Sequence, residues 1–149
     1  MRNRLSYFSF ALTTLLFLSS WPLGLYAQSD AKAGAERGAT SFLIGIQTLD
    51  PGQIYEMNIA PRAKAVMTKE AFVQNINVFR IQAGGPALAR LLVGSTPIRQ
   101  LQTGETGDFF YVRYRESLPS GQVFADVMLE NHDGKWLVTW YNYLPAPQQ

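Results

Sequence analysis

Between Asp108 and Leu144, apolar and polar positions alternate in three runs separated by turn residues. Alternation of this kind marks half-buried strands. The runs are Phe109 to Glu116, Gln122 to Glu130 and Lys135 to Tyr143. Ser117, Leu118, Pro119, Ser120 and Gly121 form the first turn cluster, and Asn131 to Gly134 forms the second. The Asp133-Gly134 pair is a strong hairpin signal. Pro145 and Pro147 stop the last run.

Side chains alternate across a strand, so strict alternation assigns two faces. One face holds Phe110, Val112, Tyr114, Val123, Ala125, Val127, Leu129, Trp136, Val138 and Trp140, and its apolar character predicts the core. The other face holds Phe109, Tyr111, Arg113, Arg115, Phe124, Asp126, Met128, Glu130, Leu137, Thr139, Tyr141 and Tyr143. A tight hairpin predicts Glu130 opposite Lys135 and Asp126 opposite Thr139, with Arg113 in reach of Asp126. Aromatic rings among charges of both signs are unusual on a solvated face and point to a contact surface, formed within the chain or with a partner.

Upstream, the spacing changes from two to three and four. Ala35, Ala39, Phe42, Ile46 and Leu49 predict a covering helix from Ala31 to Leu49, with Gly34, Gly38 and Gly45 available for close packing. Asp50, Pro51 and Gln53 read as the start of a short helix through Ile59, and Pro61 restarts the chain for a further turn. Thr68 caps a third helix whose stripe is Phe72, Ile76, Phe79 and Ala83, ended by Gly84-Gly85 and Pro86. Leu88 to Thr103 predicts one more strand, placed at the sheet edge by Pro97. The predicted class is α+β, with three N-terminal helices packed on a four-stranded antiparallel sheet.

Charge adds an address. Arg2 and Arg4, the apolar run Leu5 to Leu18, and Leu25-Tyr26-Ala27 read as a secretory signal over residues 1–27, with an uncleaved anchor as the alternative. Residues 28–149 then form a single domain with its core at about 39–144. Cleavage removes Arg2 and Arg4, so Lys plus Arg falls from 13 to 11 against 11 Asp plus Glu, a net charge of zero. That removes the basis for a nucleic-acid partner, and membrane contact is expected only through the signal. The expected location is the bacterial periplasm or the medium. The chain has no cysteine, which excludes disulfides, thiol catalysis and cysteine-ligated zinc.

Several residue groups resemble one family: Thr68 to Phe72, Arg80 with Gly84-Gly85 and Arg90, Gly107 to Val112, and Asp133 to Val138 with Tyr141. Over about Ala39 to Tyr143 they resemble the bacterial exported "domain of unknown function 4019" proteins. Trp140 departs from that pattern, which usually has a small residue there. The resemblance implies a nuclear transport factor two-like cone: a curved sheet round a long helix, an apolar pocket and often a sheet-to-sheet dimer. It implies no activity.

Candidate chemistry is sparse. His132 is the only histidine and reads as a turn residue, so no metal site and no cofactor are expected. An isomerase or dehydratase would draw on Tyr55, Tyr114 or Glu116. Arg80, near the end of the third helix, and Arg90 suit that helix's last carbonyls or a carboxylate such as Glu56 or Glu116. Three functions remain open. The first is a non-catalytic binding or assembly module acting through Tyr111, Arg113, Phe124, Asp126 and Tyr141, with a second copy or a periplasmic protein as partner. The second is a carrier of a small apolar ligand in a pocket lined by Phe79, Tyr114, Trp136 and Trp140. The third is the enzyme.

Overall fold

A computed structural model describes the backbone of residues 23–147 and the side chains of residues 28–147. The signal reading falls outside the described residues except for the backbone of 23–27. The order is α1 (Leu23–Thr48), α2 (Pro51–Asn58), α3 (Pro61–Lys64), α4 (Lys69–Ala83), β1 (Ala89–Gln100), β2 (Thr106–Leu118), β3 (Gly121–His132) and β4 (Lys135–Pro145). The class is α+β, with four helices and one antiparallel sheet in the order β1-β2-β3-β4 among the described residues. No helix among the described residues is long and apolar enough to cross a membrane.

The local signals act as the side chains require. Asp50 accepts from the Gln53 amide at 2.9 Å and opens α2 with Pro51 in its first turn. Thr68 accepts from the Ala71 amide at 3.2 Å and opens α4. Gly84 closes α4 in the left-handed region at φ 73°, where a side chain would be strained. Asp133 and Gly134 both have positive φ, 52° and 86°, as a two-residue type I′ turn demands.

That turn sets the register. His132 lies opposite Lys135, Glu130 opposite Leu137, and Asp126 opposite Asn142. The expected pairs Glu130–Lys135 and Asp126–Thr139 are therefore incorrect. With Asp133 and Gly134 as the loop, the first pair must be the residues flanking them.

The core lies between α1 and one sheet face. Ala35, Ala39, Phe42, Leu43 and Ile46 of α1 are buried, while Leu49, beyond the end of the helix, is half exposed. Close approach depends on missing side chains. A Cβ on Gly34 would lie 2.7 Å from Trp136 Nε1, and one on Gly38 3.0 Å from Trp136 Cβ. Across the sheet, the inner rungs are Phe110–Leu129–Val138, Val112–Val127–Tyr141 and Tyr114–Ala125–Tyr143. Arg80 ties α4 to α1 by donating to the carbonyls of Ile46, at 2.7 Å, and Leu49. Arg80 thus bonds the end of α1 and the residue after it rather than the last carbonyls of its own helix; Ile46 lies in the last turn of α1, where carbonyls lack partners within the helix.

Candidate functional site

β4 decides which residues meet. Met128 pairs with Trp140 and the next residue, Leu129, pairs with Val138. Thr139 is thus an extra residue, a β-bulge, and beyond it the alternation is inverted. Ile59 bridges Val138, and the Ala60 amide donates to the Val138 carbonyl at 2.8 Å, beside the bulge.

Three sequence expectations change as a result. Tyr141, expected on the outer interaction face, turns inward and packs edge-on against Phe42 at 5.2 Å and Phe72 at 6.0 Å. Trp140, expected inside, turns outward and is 46% exposed. Tyr143 likewise turns inward and stacks on Phe79 at 4.1 Å. Burial pushes the Tyr141 hydroxyl up to about 12. Burial raises Tyr143 further, helped by the nearby Glu116 carboxylate and opposed by the Gln47 amide.

The outer face is built from three rungs: Tyr111–Met128–Trp140, Arg113–Asp126–Asn142 and Arg115–Phe124–Leu144. Tyr111, Arg113, Phe124 and Asp126 are brought together as expected, and Trp140 takes the place given to Tyr141. Arg113 grips Asp126 with two parallel bonds of 2.7 Å. Asp126 is only 3% exposed, so this is a fork-to-fork pair in a drier setting than most surface pairs. The Arg113 guanidinium also lies over Tyr111 at 5.8 Å and Phe124 at 5.2 Å, and Arg115 lies over Phe124 at 5.4 Å. The Asp126 bond raises the Arg113 pKa against the opposing effect of burial. Burial, then Asp126, raises Tyr111. Arg115 Nε is out of solvent without a hydrogen-bond acceptor among the described residues. Phe109, expected on this face, is buried, with the Arg62 guanidinium 5.2 Å from its ring. Arg62 in turn pairs with Glu105 and Glu130, so one end of the face is closed by the chain itself.

A cavity of about 430 Å³ lies between α3, α4 and β4. Phe79 and Trp140 line it, with Met67, Asn75, Tyr141 and Tyr143 among the other walls. Tyr114 and Trp136, expected in the same pocket, lie elsewhere. The Tyr114 hydroxyl bonds Thr40 Oγ1 at 2.8 Å and donates to the Glu36 carbonyl at 3.1 Å, while Trp136 packs on Gly34, Gly38 and the Phe110 ring. The sequence missed Asn75, Tyr141 and Tyr143 as lining residues. Only the bulge would have revealed the tyrosines, and its residues carry no glycine or proline signal.

The acid–base candidates are engaged. Tyr55 Oη donates to the Met67 carbonyl at 2.7 Å. Glu116 is fully buried and accepts from Gln47 Nε2 at 2.7 Å and from Arg90 Nε. Arg90 therefore finds the carboxylate expected of it, and Glu56 instead meets Lys69 at 3.0 Å. His132 Nε2 lies 3.2 Å from Glu130 Oε2. No cluster of metal-ligating side chains occurs among the described residues. No protein-family model matches the chain, and no curated protein matches it significantly.

Proposed function

We propose that this chain is a non-catalytic assembly module that pairs through its outer sheet face with a second copy of itself. The observation that carries this reading is the three-rung face, where Tyr111, Phe124, Met128 and Trp140 surround a satisfied Arg113–Asp126 pair. Asp126 neutralises Arg113 and Arg62 engages Glu130, so those charges offer little opposition to a two-fold contact, and Arg115 lies over the Phe124 ring. Four strands about 4.8 Å apart and about 30 Å long offer roughly 600 Å² of flat area. That approaches the ~800 Å² per partner of a standard interface.

The reading includes export, with cleavage near Ala27, and membership of the "domain of unknown function 4019" group with its cone-like fold. The order of helices before four antiparallel strands supports the fold, and Phe109, Phe110 and Trp136 in their expected strands support the family. The test is sedimentation velocity on residues 28–149. The wild type should run as a dimer, and Tyr111→Glu with Trp140→Glu as a folded monomer. Equal sedimentation of the two would defeat the proposal.

The cavity favours a second reading, a carrier of a neutral small molecule. Its volume falls within the range of about 300–1,000 Å³ common to such sites, and none of its lining side chains is charged. The neutral fluorophore N-phenyl-1-naphthylamine should bind saturably to wild type and not to Asn75→Trp, which fills the space from the exposed side of α4. Equal binding by both would remove this reading.

A further inference from the structure

The cavity between α3, α4 and β4 borders every residue from Val138 to Tyr143. Successive side chains on a strand point to opposite faces, so a space that touches all of them runs along the strand's edge. β4 is a terminal strand, with only β3 beside it in the sheet among the described residues. The cavity therefore meets main chain as well as side chains.

The ladder shows which main-chain groups are open. In an antiparallel pair, alternate residues turn both N–H and C=O towards the partner strand, and the residues between them turn both away. The Ala146 amide donates to the Gln122 carbonyl at 3.1 Å. In the same register Asn142 lies opposite Asp126 and Trp140 opposite Met128. These residues face β3, so Tyr141 and Tyr143 turn their main-chain groups outward. The neighbours on that edge are already engaged. The Val138 carbonyl accepts from the Ala60 amide, and the Tyr143 amide donates to Asn142 Oδ1 at 2.9 Å. Tyr141 is left with both N–H and C=O turned to the edge and without a hydrogen-bond partner among the described residues.

We infer that the cavity takes a planar, uncharged lactam, held edge-on by the main chain of Tyr141; this rests on the carrier reading. The Tyr141 N–H donates to the lactam carbonyl, and the lactam N–H donates to the Tyr141 carbonyl. A ring holds the amide cis, so its donor and acceptor point to one side, as those of a facing strand residue do. An open-chain secondary amide is trans and points them apart. The rings of Phe79, Trp140 and Tyr143 among the walls suit a flat apolar body. The absence of charge from the lining side chains suits a neutral one. A fifth strand would find little to pair with. The chain itself holds the edge at Val138 and leaves it at Pro61, where α3 begins, and Asn142 occupies the Tyr143 amide.

The probe is carbostyril, a neutral bicyclic lactam, titrated calorimetrically into the full chain. It should bind saturably, displace N-phenyl-1-naphthylamine and move the Tyr141 amide proton downfield in NMR spectra. N-methylcarbostyril keeps the ring system, lacks the donor and leaves the Tyr141 carbonyl unpaired, so it should bind about tenfold more weakly or worse. Asn75→Trp should bind neither lactam. The inference is overturned by the absence of saturable carbostyril binding, by equal binding of the N-methyl derivative, or by binding that leaves the Tyr141 amide unmoved. If N-phenyl-1-naphthylamine still binds in any of those cases, the carrier reading stands without the lactam. If neither the naphthylamine nor carbostyril binds, both fall.

Discussion

The two faces of the sheet use the same residue types for different ends. On the inner face, Val112, Val127, Leu129 and Val138 are essentially inaccessible and Tyr141 packs among Phe42 and Phe72. On the outer face, Tyr111, Phe124 and Met128 are only partly covered and Trp140 is 46% exposed. Among the inner aromatics, Tyr141 and Tyr143 are held by ring packing, and Tyr114 also by its hydroxyl bonds to Thr40 and the Glu36 carbonyl. The outer ones are arranged by charge, with Arg113 and Arg115 over their rings and Asp126 fixing Arg113. An apolar stripe buried by a helix stabilises the domain. A similar stripe organised by guanidinium groups and left open is available to a partner.

The contrast can be broken most severely from inside. Phe42→Ala removes a fully buried ring from the centre of α1 and should cost about 3–5 kcal/mol in urea denaturation. An outer-face truncation such as Tyr111→Ala should cost much less. If the two losses were equal, the outer face would itself be part of the core.

Asp126→Asn keeps the shape of the outer centre and removes its charge. The Arg113 side chain is 36% exposed and retains access to water, so the expected cost is about 1–3 kcal/mol, below that of a wholly buried pair. Chemical denaturation measures it, and no loss would mean that the bidentate pair contributes nothing to stability.

The inner tyrosines sharpen the comparison through pH. Burial raises the folded-state pKa of Tyr141 to about 12, above the unfolded value near 10. The protonated ring is favoured in the fold, so its stabilisation is complete below about pH 10 and declines as pH rises through about 12. Tyr143 shifts in the same direction. Tyr141→Phe should therefore flatten the alkaline fall in stability, read from urea denaturation, by an amount on the order of 3 kcal/mol at the limit. An unchanged slope would contradict the inward placement of Tyr141.

Much of this architecture can be read in the sequence, because it rests on local chemistry. Asp50, Thr68, Gly84 and the Asp133-Gly134 turn each act where their side chains or φ angles dictate. The alternation of β2 and β3 yields the inner rungs and the Arg113–Asp126 pair. Strict alternation fails in the second half of β4. Val138, Thr139, Trp140 and Tyr141 are all good strand formers, and nothing in them marks Thr139 as the extra residue. The bulge lies beside the Ile59–Val138 bridge, a contact between residues far apart in the chain. Phe109 stands on its expected face opposite Glu130, and its burial comes from Arg62, far earlier in the chain, whose guanidinium lies over the ring.

Trp140 allows the most direct measurement. In residues 28–149 with Trp136→Phe, it is the remaining tryptophan. Its emission and acrylamide quenching can be followed from nanomolar to about 100 µM protein, the span over which ordinary dimers form. Assembly through the outer face predicts a blue shift and reduced quenching with rising concentration, in step with dimer mass by sedimentation. A tryptophan that stays equally wet while the dimer forms, or a chain that stays monomeric throughout, would contradict the account.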